Sequence, residues 1–301
     1  VAGTRWEYYS ALGTHPANVA GNFTTGKGYS NKRTAAGYYT FKGTMADADV
    51  VVTTTTNATH NWEVVGNPYP SFLPANTLAN ANNILAFNMG LLDTNYSSLY
   101  FWNGTALAYQ PVNHGTSAMH LTPGQAFMIR TKVSADTFTF PKSYQTAQVA
   151  AATTFYKGSG TPEIILSLLS GTVTKTTTLK YFSNTTAGLD PGYDAGTYID
   201  TTPIFAIDTH LVSDSQGTDF TLQCLPNNNF ETSIVPLSIK AVANESITFS
   251  ADAINLPDGL KIFLEDKEAQ TVTDITTTSH QVTPNEALNG IGRFYMHTAE
   301  S

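Results

Sequence analysis

Two sets of side chains in this sequence have the type and spacing to hold a ligand. Tyr96, Tyr100, Trp102 and Tyr109 fall on alternate positions of a predicted hairpin, which places them on one face. Aromatic faces stack on sugar rings through C–H contacts and apolar burial, so such a row suits a polysaccharide. The same alternation also suits the inner face of a sheet, and both readings stand at this point. The second set is Asp190 and Asp194, in a loop carrying Gly188, Pro191 and Gly192, with Asp200 and Asp208 downstream. Hard oxygens on a flexible loop are what Ca²⁺ takes, which makes Asp190, Asp194 and Asp200 the candidate calcium ligands. The spacing is not that of an EF-hand, and aspartates in such loops also cap turns. No other cofactor is indicated.

Catalytic patterns are missing. The histidines are His15, His60, His114, His120, His210, His280 and His297, and none has a metal-ligand spacing such as H-E-x-x-H. His114 and His120 flank one loop. Gly115-Thr-Ser117-Ala-Met119 departs from the nucleophile-elbow pattern at its last position. Gly26-Lys-Gly28 lacks the rest of a dinucleotide fingerprint. Glycosidase carboxylates need no local spacing, but no acidic pair stands among the aromatic residues. Glu265-Asp266-Lys267 ends a strand and reads as a solvated turn with an ion pair. Cys224 is the single cysteine, so it has no internal disulfide partner. It shares a strand face with Phe220 and Leu222 and reads as a small buried apolar group. The chain is expected not to be an enzyme.

The elements that must position these residues are strands. Val50–Thr56 is a continuous β-branched run. Leu99–Trp102, Asn103-Gly104 and Thr105–Gln110 predict a hairpin with a two-residue turn. In that register Trp102 faces Thr105, Tyr100 faces Leu107 and Ser98 faces Tyr109. Leu78–Leu92 alone has helix-like apolar spacing, and its Asn and Gly residues make it a poor helix. Trp62-Glu63 echoes Trp6-Glu7, and Gly124–Met128 echoes Gly26–Ser30, so residues 1–150 read as an internal duplication with an insert over Phe72–His120. An Ala-rich, then Gly/Ser-rich linker runs over residues 151–162. From Glu163 onward, candidate strands recur with turn residues between them: Glu163–Leu169, Thr176–Phe182, Ile204–Ile207, Phe220–Leu225, Val235–Ala241, Ser246–Ala251, Lys261–Glu265, Val272–Ile275 and Arg293–His297. The fold class expected is all-β, as two tandem antiparallel β-sandwich domains (jelly-roll or Ig-like) over residues 1–150 and 163–301.

Composition narrows the partners. Of 301 residues, 41% are hydrophobic, enough for packed interiors, whereas only 13% are charged, about half the usual quarter. Threonine, serine and asparagine fill the gap, a composition that fits secreted β-rich proteins. The net charge of −8 and scattered Lys and Arg argue against nucleic acid and against a membrane surface. No apolar run is long enough to cross a bilayer as a helix.

The least generic stretch is Asn61–Ser71, Asn-Trp-Glu-Val-Val-Gly-Asn-Pro-Tyr-Pro-Ser. Its Gly and prolines make a rigid turn, and it admits a cis peptide bond at Pro68 or Pro70. Together with Tyr100-Phe-Trp-Asn-Gly104 and Pro123-Gly-Gln-Ala-Phe-Met128, it resembles a run common in secreted proteins of the Bacteroidota: W-N-L-V-G-N-P-Y-P-S, then Y-x-W-N-G, then G-Q-G-F-F-V. Ala187–Ala195 resembles the same family's D-G-F-D-x-G-Y-D-A, and Val235-Pro-Leu237 and Phe263–Lys267 match its later landmarks. Ala126 stands where a Gly is usual and Leu189 where an aromatic is usual. The resemblance covers nearly the whole chain. It implies a non-catalytic module of type IX secretion cargo, of the kind that precedes a C-terminal sorting domain in surface adhesins and polysaccharidases. Such a module is expected outside the cell, serving adhesion or extracellular assembly through strand edges, or tethering an enzyme to its polysaccharide. If the chain binds, the hairpin around Tyr100 and Trp102 is the expected surface, and Asn61–Ser71 is expected to orient it.

Overall fold

The computed structural model describes residues 23–29, 43–54, 61–104, 108–133, 136–147, 160–199, 202–228 and 230–300. Thr4–Ser10, the first member of the expected duplication, lies outside them, as do residues 151–159 of the expected linker. The chain is all-β, with one short α-helix and a few 3-10 turns among the described residues.

The first half carries β1 (Val50–Thr53), β2 (Trp62–Gly66), β3 (Leu73–Pro74), α1 (Ile84–Asn88), β4 (Leu99–Asn103), β5 (Ala108–Val112), β6 (His120–Leu121), β7 (Ala126–Arg130) and β8 (Thr137–Phe140). Strands β2, β7, β4 and β5 form one sheet in that order, while β1 pairs β8 and β3 pairs β6. Gly26–Gly28 lies along the outer edge of β2, through Gly28 N to Val64 O and Gly66 N to Gly26 O. These pieces close on a core of Val52, Val65, Leu73, Leu99, Phe127, Phe138 and Phe140, with Phe138 and Phe140 ring centroids 5.1 Å apart. The helix-like stretch of the insert condenses to α1. The Asn83 side chain caps it by accepting from Ala86 N at 2.8 Å, and Ile84 and Leu85 enter the core.

The Asn67–Ser71 turn works as a rivet. Asn67 Nδ2 donates to Ser71 O and Thr122 O, at 2.8 and 3.0 Å. Its Oδ1 accepts from Tyr69 N, and the buried Tyr69 hydroxyl donates to Phe140 O at 2.6 Å. The peptide bonds at Pro68 and Pro70 are both trans, so side-chain hydrogen bonds, without a cis proline, hold this turn.

The hairpin departs from the expected register. Asn103 pairs with Ala108, Trp102 with Tyr109 and Tyr100 with Pro111, so Asn103-Gly104 does not close as the expected two-residue turn. The offset from the expected pairing is even, so the faces are kept while the partners change. Trp102 therefore lies directly across from Tyr109.

The second half carries β9 (Glu163–Ser170), β10 (Val173–Phe182), β11 (Ala195–Gly196), β12 (Ala206–Thr209), β13 (Phe220–Pro226), β14 (Ile234–Ala241), β15 (Ile247–Ile254), β16 (Leu260–Asp266), β17 (Thr271–Asp274), β18 (His280–Val282) and β19 (Leu288–Glu300). They make one sheet in the order β17-β16-β19-β14-β12-β13-β10-β9-β15-β18, with β11 alongside β13. The pairings are antiparallel except β10 with β13, which run parallel because the chain leaves β10, builds β11 and β12, and returns. The sheet folds over on itself. Six strand spacings separate β15 from β19, roughly 30 Å if flat, yet the Phe249 and Phe294 rings are 4.8 Å apart. Alternate residues of both layers, among them Ile164, Leu166, Leu237, Ile239, Ile262 and Leu264, fill the core between them.

At the β16–β17 turn, Glu265 pairs with Lys267 at 2.6 Å near the surface. Asp266 is not solvated as expected. It is buried and accepts two hydrogen bonds from Arg293, at 3.0 and 2.8 Å, which hold the strand end against β19.

Gln223 breaks the apolar pattern of the core. It lies on β13, is fully buried, and neither end of its amide has a hydrogen-bond partner among the described residues. It sits beside Leu179 of β10, on the face that meets the core. A buried amide without partners forfeits about 1–3 kcal/mol. Gln223→Met keeps the length and removes the amide. It is expected to raise stability in urea unfolding by about 1–2 kcal/mol. A loss of stability would mean that the amide is satisfied in solution.

Candidate functional site

The loop that joins β10 to β12 brings the two halves together. Asp190 Oδ2 accepts from Thr186 N at 2.6 Å and from its hydroxyl at 3.2 Å. Asp194 is fully buried, with one oxygen accepting from Cys224 N and the other from Asp190 N, both at 2.7 Å. Burial pushes Asp194 up to about 7, against the pull of those two backbone donors. Both carboxylates thus fold the loop, and Asp194 also ties it to β13 through Cys224 N. Asp200 lies outside the described residues, and among the described residues no three His, Cys, Asp or Glu side chains gather as metal ligands. Asp208 stands apart, on β12.

Held in this shape, the loop offers its carbonyls to the first half. Asn113 Nδ2 donates to Tyr193 O, His114 N to Gly192 O and the Tyr100 hydroxyl to Gly196 O, each at 2.8 Å. Two glycines permit the approach. A Cβ at Gly196 would lie 2.6 Å from the Tyr96 ring and 2.8 Å from Asn95 O, and one at Gly192 would lie 2.7 Å from Met89. Cys224 is sealed beneath the contact. Its thiol is buried, and a Cβ at Gly115 would lie 2.9 Å from its sulfur.

The docked halves separate the four predicted aromatic residues. Tyr100 is fully buried and serves as a strut between the halves. Tyr96 is partly buried under the Arg130 guanidinium, 4.0 Å from its ring centroid. Trp102 is 56% exposed and meets Tyr109 edge-on at 5.3 Å. The row then continues through residues that sequence reasoning did not nominate. Tyr109 contacts Tyr198 of the second half at 4.8 Å, and Tyr198 contacts Trp62 at 4.8 Å. Nothing local marks Tyr198, because its role comes from the docking.

Beside this row lies a cleft of about 740 Å³ between the halves. Trp102, Tyr109 and Met128 form one wall, and Thr197, Tyr198, Phe205 and Asp208 form the other, with Lys175 and Thr176 exposed at the edge. Asp208 is buried in the wall, and its Oδ1 accepts from the Thr197 hydroxyl at 2.6 Å. Its Oδ2 accepts no hydrogen bond from the described residues. Burial pushes Asp208 up to about 6, while Lys240 and His210 pull the other way.

Next to Asp208, Asp219 takes the two nearby side-chain nitrogens, those of His210 and Lys240. His210 Nε2 lies 2.8 Å from one oxygen and Lys240 Nζ 2.6 Å from the other. Burial works against the Asp219 charge, but these bonds outweigh it and hold the carboxyl below the ordinary range. Ser215 Oγ is 3.3 Å from His210 Nδ1, which completes the outline of a Ser-His-Asp chain. Lys240 neutralises the aspartate, however, and Ser215 does not line the cleft. The group is read as a buried ion-pair network that ties β14 and the β12–β13 loop together.

The architecture defines an all-β protein of two docked halves with an aromatic cleft at their junction. The chain belongs to a family described as a domain of unknown function (DUF8693), which matches residues 5–297 and so runs through both halves. No curated protein and no solved structure matches the chain.

Two tests follow from this site. Gly196→Ala places a methyl group against a backbone oxygen, and overpacking of this kind costs about 1–3 kcal/mol. Urea unfolding is expected to show that loss, and an unchanged midpoint would mean that the halves do not dock through Gly196. The second test is pH. Asp194 and Asp208 are raised, so folding favours their protonated forms. The stability this lends is complete below about pH 4 and is lost as pH rises through about 6 and about 7. Asp219, held low, acts oppositely and stabilises the fold above about pH 4. The melting temperature is expected to fall from about pH 4 to about pH 7. Asp208→Asn should flatten the part of that slope below about pH 6, and an equal slope in the variant would remove Asp208 from the account.

Proposed function

We propose that the protein is a secreted, non-catalytic module that binds a polysaccharide in the cleft between its halves, as a tether or adhesive element of a larger surface protein. The observation that carries this reading is Trp102. A half-exposed indole, continuous with Tyr109 and Tyr198 along an open cleft, is a costly group to leave in water unless a ligand covers it. Low charge, the scattered cations and the likeness to type IX cargo modules support an extracellular setting. Self-association through strand edges has less behind it. The edge strand β5 contains Pro111, which cannot donate to an added strand, and the sheet edges β17 and β18 are short.

Affinity electrophoresis in gels containing neutral plant, algal or bacterial polysaccharides is expected to retard the protein. On a polysaccharide that does so, Trp102→Ala is expected to weaken binding about tenfold or more. Full retention by the variant would sink the cleft as the binding site.

A further inference from the structure

We propose that Asp208 sets the specificity of the cleft: its open carboxylate oxygen accepts hydroxyl groups of a neutral sugar ring stacked at Trp102, and its buried charge turns away uronate-bearing chains. The inference rests on the carbohydrate reading above and names the class of saccharide.

A buried carboxylate is normally consumed by a cation or by several donors. Here the neighbouring His210 and Lys240 nitrogens bond Asp219 instead. Among the described residues Asp208 receives a single hydrogen bond, from the Thr197 hydroxyl, on a single oxygen. That bond fixes the carboxylate in the wall and leaves the other oxygen for whatever occupies the cleft. An ionised carboxylate is acceptor-only, so a fitting occupant presents donors. Sugar hydroxyls do this at the edge of the same ring whose face is apolar.

Depth supplies the second half. Asp208 is 4% exposed and Trp102 56%, and both line the same cleft, so a saccharide that stacks on the indole and fills the cleft meets the carboxylate. A ligand carboxylate brought there meets a like charge in a poorly solvated wall, where the repulsion is weakly screened. Among the described residues Lys175 is the cation on the cleft lining, and it is exposed, where water and salt screen it. It does not offset the charge of Asp208.

Matched hexasaccharide pairs that differ only in CH₂OH against carboxylate at C6 test this directly: glucan with glucuronan, mannan with mannuronan, galactan with galacturonan. Binding is measured by calorimetry at about pH 7.5, above the range in which Asp208 titrates. In a pair that binds, the neutral member is expected to be favoured at least tenfold. Asp208→Asn is expected to weaken the neutral member about tenfold and shrink the neutral-to-acidic ratio toward one. Thr197→Val, which frees the carboxylate to turn, should lower neutral binding severalfold. If Trp102→Ala removes binding but Asp208→Asn changes neither affinity nor ratio, this inference falls and the cleft reading stands. Equal or tighter binding of the acidic member also overturns it. If no neutral member binds the wild type, both readings fall.

Discussion

Buried backbone has to be hydrogen-bonded, and in the first half of this protein asparagine side chains meet that requirement. The strands there are short and the segments between them long, so many peptide groups lie outside any ladder. Asn67, Asn76, Asn83, Asn88 and Asn113 are all buried. Asn76 donates to Asn113 O and Ser117 O and accepts from Met119 N. Asn88 ties α1 to β8, donating to Ile84 O and Thr139 O and accepting from Thr139 N. A primary amide offers two donors and an acceptor in a compact neutral group, so it closes such gaps without burying charge. The same chemistry gives the chain its unusual composition, poor in charge and rich in asparagine.

Asn113 extends this scheme across the junction. One amide engages Gly115 N within its own turn, Ser98 Oγ on the strand beside it and Tyr193 O in the other half. Because the amide is held by Gly115 N and Ser98 Oγ on its own side and meets a backbone carbonyl on the other, the contact sets the relative position of the halves closely. The aromatic row depends on that placement. Trp102 and Tyr109 come from the first half, Tyr198 from the second, and the cleft exists only between them.

Much of the architecture was legible. Alternation located β9, β10, β13, β14, β15, β16 and β19 within a few residues, because these strands keep one face in the core and the period-two signal survives. Two short strands, β11 and β18, carried too few residues for any periodicity. The strand expected at Ile204 begins at Ala206, leaving Ile204 exposed. The hairpin was misregistered because Asn103-Gly104 is a strong local signal for a two-residue turn, while tertiary pairing of β4 with β5 selected another register. Face assignment outlasted the error, so Trp102 and Tyr109 were rightly grouped. Tyr100 was grouped with them on the same alternation, yet it is consumed by the junction. Local pattern shows which residues share a face. Which half covers that face is a property of docking; for that reason Tyr198 was invisible as a site residue, and Asp208 was noted only beside the candidate calcium ligands.

The lone cysteine is sealed by the same docking. Its sulfur lies under Gly115 of the opposite half and against Tyr193 O at 3.3 Å, and burial holds the thiol well above its ordinary range. It is therefore inert for two separate reasons, lack of access and lack of thiolate, and parting of the halves lifts Gly115 off the sulfur. Cys224 is thus a natural clock for that opening, since the rate at which a thiol reagent reaches it reports how often the junction breathes.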